Sequence, residues 1–295
     1  MVSWPDLGTR VTVRYRRAKG SVPPLTDAVG HLLAVDPLVR VRTKTGAVVE
    51  FAPADVVALR ALTDAPVRTA QIRALEQAAA KAWPGDERAW LDGWLLRAGQ
   101  GAGLTANSAM PLDISAQLSA LPAIVTWYER RGLTPWLAVP ERLLALPRGV
   151  TGDEERVLVR DVPDAREPDP SVTLSARPDD AWLRIYRGAV PLDALTGVID
   201  GELVFGTHPG GAVARAALTN APDGTGWLGL SSIRAAEEQT AVALCRALLA
   251  WGADRGASHA YLRARGTGAT NLADLLGFLP HHRRRYIAAR RIDTV

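Results

Sequence analysis

Residues 226–264 read GWLGLSSIRAAEEQTAVALCRALLAWGADRGASHAYLRA. GWLGLSSI, Gly226 to Ile233, is a short apolar run entered from the turn NAPDG, which is the pattern of a buried strand. The chain then turns to helical spacing, with Val242 or Leu244, Cys245, Leu248, Leu249 and Trp251 on one face as far as about Asp254. Ala260 to Ala264 supplies a second strand. Strand, long helix, strand is therefore the unit around which the rest of the chain is read.

Downstream, Asn271 to Leu276 is a short helix ending in LLGF, and HHRRRYIAARRI closes the chain as a last strand pair. Adjacent His281 and His282 point to opposite faces of a strand, a poor arrangement for chelating one ion, so no metal is expected. Upstream lie strands at Glu202 to Thr207 and Ala212 to Thr219, preceded by AWLRIYRG and a short helical stretch, Leu192 to Ile199. Asp161 to Pro170, rich in Pro, Asp and Glu, reads as a linker. Before it come strands in PWLAVP and RVLVRDV and a helix from about Leu118 to Arg131 that stops at Gly132. GWLLRAG and LTANSAMPLD read as two strands around the turn Gly99 to Gly103, and Ile72 to Ala82 as a helix ended by Pro84 and Gly85.

Beyond the linker TDAPV, Thr63 to Val67, the pattern becomes all-β. VTVRY, AVGHLLAVD, LVRVRTKTG and AVVEFAPADVVAL are short strands separated by turns, with Leu38, Val39 or Val41 inward and Arg40 and Arg42 outward. They resemble a small Src-homology-3-like (SH3-like) β-barrel. The expected division is a barrel over 1–62, one half over 67–160 and a second half over 171–295.

Composition narrows the class. The 295 residues are 47% hydrophobic, enough for sizeable cores. The single cysteine, Cys245, excludes disulfide frameworks and cysteine-rich zinc sites. Met1 to Arg10 holds no apolar signal segment and Arg246 interrupts Ala241 to Ala253, so a cytoplasmic protein with no membrane partner is expected. The 35 basic residues exceed the 31 acidic by four, but lysine occurs only at 19, 44 and 81, and the arginines are spread along the chain. That distribution argues against a nucleic-acid partner, since such binders concentrate charge on one face; a homo-oligomer is left open. The chain contains no G-x-S-x-G elbow, P-loop or H-E-x-x-H motif.

WLGLSSIR running into TAVALCRALLAWGADRGASHAYLRA and then NLADLLGFLPHHRRRYI resembles the core of the GNAT superfamily of N-acetyltransferases. WLDGWLLRAGQGAGLTANSAMPLD with WYERRGLTPWLAVP is similar to an actinobacterial group of two-part GNAT proteins that also begin with a small barrel, some described as N-acetylglutamate synthases. With this second stretch the resemblance covers nearly the whole chain. It implies an α+β fold, the α/β GNAT arrangement of a mixed sheet flanked by helices behind the barrel. It also implies acetyl-CoA as co-substrate and transfer of its acetyl group to a small amine, first of all the amino group of glutamate. The donor would lie beside Leu230, Ser231, Ser232 and Ile233 and against the helix start at Gln239, Thr240, Ala241 and Val242. There the open amides and positive dipole end suit a diphosphate.

Three features differ from the family pattern. The pyrophosphate loop usually reads R/Q-x-x-G-x-G/A, whereas AAEEQTAVA has no glycine and carries Glu237 and Glu238. The tyrosine acid of the short helix corresponds to Ala273, and the matching asparagine position to Gly266. The candidate catalytic groups are then Glu202 on an early strand of the second half and Tyr286 on the final strand, with Tyr261 also placed to reach the cleft. Asn107 and Ser108 are candidate substrate-orienting residues, with turn hydrogen bonding as their ordinary alternative. A noncatalytic binding or regulatory protein, and a barrel that binds nucleic acid or protein through Arg40, Arg42 and Lys44, are the competing readings.

Overall fold

The computed structural model describes residues 4–5, 7–62, 67–162, 170–188, 190–265 and 267–292. The chain divides into two compact units, Met1–Pro66 and Val67–Val295. In the first, β1 (Arg10–Arg16), β2 (Leu25–Ala34), β3 (Val39–Thr43), β4 (Val48–Phe51) and β5 (Val56–Ala61) form an antiparallel sheet in the order β4-β3-β2-β1-β5. Val39 and Val41 are fully buried beside Val11, Val13 and Leu32, while Arg40 is exposed and pairs with Glu50 across the strands at 2.7 Å. Leu38 lies outside this core, 41% exposed. β2 passes β3 so closely at Gly30 that a Cβ there would lie 1.9 Å from the Arg42 carbonyl oxygen, which only glycine tolerates.

The second unit is built on one sheet of eleven strands. These are β6 (Glu87–Leu91), β7 (Trp94–Ala98), β8 (Ser108–Pro111), β9 (Trp136–Pro140), β10 (Asp153–Asp161), β11 (Thr173–Ser175), β12 (Gly201–His208), β13 (Ala212–Asn220), β14 (Gly226–Arg234), β15 (His259–Ala264) and β16 (Leu279–Ala288). Their order is β11-β12-β13-β14-β15-β10-β16-β9-β8-β7-β6. The helices are α1 (Thr69–Ala82), α2 (Gly103–Ala106), α3 (Leu121–Glu129), α4 (Asp180–Tyr186), α5 (Leu192–Thr196), α6 (Glu238–Ala253) and α7 (Thr267–Leu275). The expected fold class, a mixed sheet flanked by helices behind a small all-β domain, is the one found. No helix among the described residues is long and apolar enough to cross a membrane.

Three local expectations change. LTANSAMPLD opens with the helical turn α2 before β8; Glu87–Leu91 is an additional strand; and the closing segment is the single strand β16 with a short 3-10 turn, Ala289–Arg291, instead of a strand pair. β16 has no hairpin partner because its neighbours come from far away in sequence: β10 on one side and β9 on the other. β10, from the first half, in turn lies between β15 and β16. The segments before and after residue 165 thus exchange terminal strands, and the sheet is continuous through both. Two neighbouring pairs are parallel, β8 with β9 and β14 with β15.

On one face, α6 seals an apolar core with Leu244, Cys245 and Leu248 against Leu228, Leu230 and Leu262. On the other, α1 covers the strands from which Glu155, Arg263, His282 and Arg284 project. Leu75, Ala78 and Ala79 of α1 pack on Val157, Trp227 and Tyr261, but Glu76 on the same buried face is fully enclosed. Its carboxylate accepts from His282 Nε2 at 2.9 Å and Arg284 Nη1 at 3.0 Å. Arg284 also donates to Glu155 and to the Tyr286 hydroxyl. Burial raises the Glu76 carboxyl, but Arg284, His282 and Arg263 outweigh it and hold the group far below the usual carboxylate range.

Removing one member of such a layer strands the others, so Glu76→Gln is expected to cost about 3–5 kcal/mol in urea unfolding at neutral pH. Because the folded carboxyls of Glu76 and Glu155 are depressed, the stability they contribute is complete above the ordinary carboxylate range and is lost as pH falls toward their folded values. The wild-type urea midpoint is therefore expected to fall already between pH 7 and pH 5, where His281, held at about 4 in the fold, takes up its proton only on unfolding. It falls further below about pH 4 as the carboxylates protonate, this lower drop being shallower in Glu76→Gln.

Candidate functional site

β14 and β15 run side by side from the pair Trp227 and His259 to the pair Leu230 and Leu262, and there their pairing ends. Past this point β14 bulges. Its register on β13 slips between Arg215 opposite Ser231 and Val213 opposite Arg234, and Ser232 takes φ 53°. A non-glycine residue held there stores about 1–3 kcal/mol of strain, and a bulge re-aims backbone amides that would otherwise pair. The widening gap opens into a cavity of about 840 Å³.

One side of this cleft is formed by the chain leaving β14. Ala235, Ala236, Glu237, Glu238 and Ala241 line it. Glu237, at the N-cap of α6, makes no capping bond with its side chain, and the first helical bond runs from the Ala241 amide to the Glu237 carbonyl at 3.3 Å. The amides of Glu238, Gln239 and Thr240 are left without an intrahelical partner, as the first turn of a helix requires. They and the dipole of a sixteen-residue helix offer donors for an anion, with the carboxylates of Glu237 and Glu238 opposing it.

The other side lies on the α1 face of the sheet. Glu155 of β10, Tyr261 and Arg263 of β15, and Arg265 just beyond it line the cavity, facing Trp83, residues 102–105 and Tyr186. Arg265 Nε donates to Glu155 Oε1 at 3.1 Å, and its guanidinium stacks 4.5 Å from the centre of the Tyr286 ring. Burial would raise the Glu155 carboxyl, but Arg284, Arg263 and Arg265 together hold it below its ordinary range. Tyr261 lies against Gly229, where a Cβ would come within 2.3 Å of the phenolic oxygen. Burial pushes its pKa up, so the hydroxyl keeps its proton at neutral pH.

Of the residues singled out in the sequence, Leu230, Ser231, Ser232, Ile233 and Ala241 line the cleft. Gln239 and Val242 border a separate surface hollow with Arg246 and Leu275, and the Thr240 hydroxyl donates to the Glu237 carbonyl at 2.7 Å. Glu202 does not line the cleft; it is exposed and paired with Arg255 at 3.0 Å. Tyr286 is buried behind the wall, its hydroxyl 3.4 Å from Glu155 Oε2. Ser108 is enclosed, donating to the Leu104 carbonyl at 2.8 Å and accepting from Arg97, and Asn107 follows α2; neither lines the cleft, though Leu104 and Thr105 do. Ala273 is packed in the core beside α6, and Gly266 lies outside the described residues.

His281 and His282 do not point to opposite faces. A bulge opposite Val157 and Leu158 turns both imidazoles together, with Nδ1 atoms 2.7 Å apart. Burial and His282 push the pKa of His281 down to about 4. Among the described residues no group of three or more His, Cys, Asp or Glu side chains is arranged to hold a metal ion. Glu155, Arg263 and Arg265 were not singled out in the sequence. The signal was faint: EERVLVRD alternates, placing Glu155 on the same face as Val157 and Val159.

Residues 69–287 match a family model described as "Probable histone acetyltransferase Rv0428c C-terminal", and residues 5–60 match "Rv0428c N-terminal Sm-like domain". A protein of Mycobacterium tuberculosis (strain ATCC 25618 / H37Rv), "Probable histone acetyltransferase Rv0428c", is 64% identical over 298 residues, covering 99% of this chain and 98% of its own. Among solved structures, a GCN5-related N-acetyltransferase from Kribbella flavida superposes with TM-score 0.51 at 17% identity, over 73% of this chain and 95% of its own. A putative GNAT-family acetyltransferase from Novosphingobium aromaticivorans gives TM-score 0.47 at 17% identity, over 72% and 96%.

The fit of Tyr261 against Gly229 is open to a double-mutant cycle. Gly229→Ala is expected to destabilise the chain by about 1–3 kcal/mol by overpacking. Tyr261→Ala should recover part of that loss, giving a coupling of at least about 0.5 kcal/mol in urea unfolding.

Proposed function

The chain belongs to the family in which an Sm-like N-terminal domain precedes a probable histone acetyltransferase C-terminal domain, and from that membership we propose that it is an acetyl-CoA-dependent N-acetyltransferase acting on a small amine in the cleft between β14 and β15. The observation that carries the reading is the opening of the sheet at Leu230 and Leu262 into the 840 Å³ cavity, directly beside the open amides of α6. An extended thioester would fit such a gap: the freed edge of β14 around Ser231 to Ile233 would receive its amide groups, and the start of α6 would hold its diphosphate. The residues present fit the donor, with the two glutamates as the opposing charge.

The chemistry requires an amine nitrogen to attack the thioester carbon, a C–N bond to form, the C–S bond to break and the thiolate to be protonated. A backbone amide of the Ser231–Ile233 bulge polarises the carbonyl as negative charge develops. Tyr261, proton retained, is the hydroxyl that protonates the departing thiolate, in place of the short-helix tyrosine that is Ala273 here. Glu155, held ionised by its arginines, accepts a hydrogen bond from the acceptor amine and orients it, while the amine's proton passes to water in the open cavity. Tyr286 positions Glu155 from behind. Glutamate is the first acceptor to test; the 64% identical relative carries the name of a histone acetyltransferase, and a protein lysine is the alternative.

A second reading, a chain that keeps the fold for recognition without catalysis, draws on the glycine-free loop and on Glu237 and Glu238. Calorimetric titration with acetyl-CoA separates the two. Micromolar binding, weakened by Gln239→Glu and tightened about fivefold by Glu238→Gln through relief of roughly 1 kcal/mol of repulsion, supports the enzyme. Absence of binding leaves the recognition protein. Tyr261→Phe is expected to lower kcat about 100-fold with the acetyl-CoA Kd unchanged, and an unchanged kcat removes Tyr261 from the reaction.

A further inference from the structure

The sheet of the second unit ends at β6, and hydrogen bonding inside the chain fixes which backbone groups of that strand face outward. β6 pairs with β7 from Glu87 opposite Ala98 to Leu91 opposite Trp94, which places Arg88 opposite Arg97. The Arg97 amide donates to the Tyr128 hydroxyl at 3.3 Å, and that hydroxyl donates to the Arg97 carbonyl at 2.8 Å. Both backbone groups of Arg97 are thus spent away from β6, so Arg88 and Arg97 form a non-hydrogen-bonded pair. The two kinds of pair alternate along an antiparallel ladder. Arg88 and Trp90 therefore each present an N–H and a C=O to the open edge, and β6 is the last strand of its sheet.

The side chains at this edge are also unspent. Arg88 and Trp90, two residues apart, share one face of the strand. Trp90 stands beside Leu95 and Leu95 beside Met110, an apolar strip that α1 covers with Ala80. The strip ends in a Trp90 that is 59% exposed. Arg88 forms no hydrogen bond, ion pair or ring contact among the described residues, whereas Glu87 is held by Arg131 at 2.7 Å. Ile114, 86% exposed, follows Asp113, whose amide bonds the Gly93 carbonyl at the adjoining turn. Edge strands are ordinarily blunted or covered. The opposite edge is blunt, since β11 has only three residues; β6 offers five, with a bare indole.

We infer that β6 pairs antiparallel with β6 of a second copy of this chain, about a two-fold axis through Ala89. This register uses every outward group of both strands, because each Arg88 forms a hydrogen-bonded pair with the partner's Trp90. Centred on Arg88 or on Trp90 instead, the pairing would run past the strand into Asp86 or the turn residue Asp92. The side chains agree with the backbone. Each guanidinium lies across from the partner's indole on one face, a cation against an aromatic ring, twice by symmetry. Ala89 meets its own copy as a non-hydrogen-bonded pair, where Cα atoms approach to about 4.5 Å and a small side chain fits. The strand supplies both halves of each contact, so the partner of matching chemistry is the chain itself. The contact is independent of the acetyltransferase reading, since the cleft between β14 and β15 lies in the other half of the sheet.

The test is sedimentation velocity of the full-length chain over a concentration series, with disulfide trapping as its positive arm. A two-chain species with a micromolar dissociation constant is expected, as suits a contact built on one short strand. Trp90→Ala and Arg88→Glu should each weaken it at least about tenfold, and Arg88→Lys should keep part of the affinity. Cys245, the sole native cysteine, is buried, so Ala89→Cys introduces one accessible thiol beside the axis and should form a covalent dimer under mild oxidation. Glu87→Cys, displaced from its own copy by the antiparallel register, should not. Urea midpoints show which variants fold, and the exposed Arg88 variants carry the result should Trp90→Ala fail to. A chain that stays monomeric throughout, association that survives Arg88→Glu and Trp90→Ala, or cross-linking as fast at 87 as at 89 overturns the inference.

Discussion

The buried hydrogen-bonded contact of Glu76, Arg284 and Glu155 ties together three elements that are far apart in the sequence. Glu76 belongs to α1, Glu155 to the exchanged strand β10 and Arg284 to the exchanged strand β16. None of these charges is tolerable alone in an apolar interior. Their mutual satisfaction therefore requires that both strands reach the centre of the sheet in register and that α1 lie across them. The layer does not exist chiefly to add stability, since an apolar replacement of the whole cluster would pack as well. What it supplies is a charged wall on the face of the sheet toward which the cleft opens.

That cleft has a counterpart. Outward from the central pair β10 and β16 the strand order reads β15-β14-β13-β12-β11 on one side and β9-β8-β7-β6 on the other, and each side contains one parallel pair whose strands are joined by a helix, α6 between β14 and β15 and α3 between β8 and β9. At the β8-β9 pair, only Ala109 and Leu137 pair, and both are fully buried with Leu121, Ile124 and Tyr128 of α3 in one apolar cluster. At the β14-β15 pair, four pairs form before the strands part, and the bulge at Ser232 holds them apart. The same topology thus gives one gap filled by side chains and one left open. Local sequence makes the difference, with Leu137 and Tyr128 filling the first and Gly229 and Ser231 leaving room in the second.

Patterns with a short period were legible. The alternation Val39, Arg40, Val41 gave the first unit, and the stripe Leu244, Cys245, Leu248 gave α6 with the strand on each side of it, hence most of the cleft's cofactor wall. Features decided by distant partners were not. β16 looked like a hairpin because its true neighbours, β9 and β10, lie over a hundred residues away. The paired histidines followed the bulge, which no dipeptide announces. Glu202 carried the right charge in the right half of the chain, but β12 sits too far from β15 to reach the cavity, and Arg255 takes its carboxylate. Two signals were present and passed over. Asp92-Gly93, with φ of 44° and 83°, is a hairpin turn that implies β6, and Glu76 interrupts the apolar face of α1, where an ionisable residue demands an explanation.

The start of α6 poses the sharper physical question, because Glu237 and Glu238 act on two processes with opposite sign. Beside the first turn of a helix whose N-cap lacks a side-chain bond, each carboxylate stabilises the dipole by about 0.3–1 kcal/mol. Beside a diphosphate each would cost about 1 kcal/mol in water. The first effect acts on folding and is the same with or without a ligand, whereas the second acts on binding alone, so each glutamate would weaken the hold on a diphosphate about fivefold. Affinity must then rest on what the glutamates do not touch, namely the three open amides and the depth of the gap between β14 and β15. That shifts the weight of recognition from the loop, where the family pattern places it, to the bulge at Ser232, whose strain is maintained by the surrounding sheet and is present before any ligand arrives.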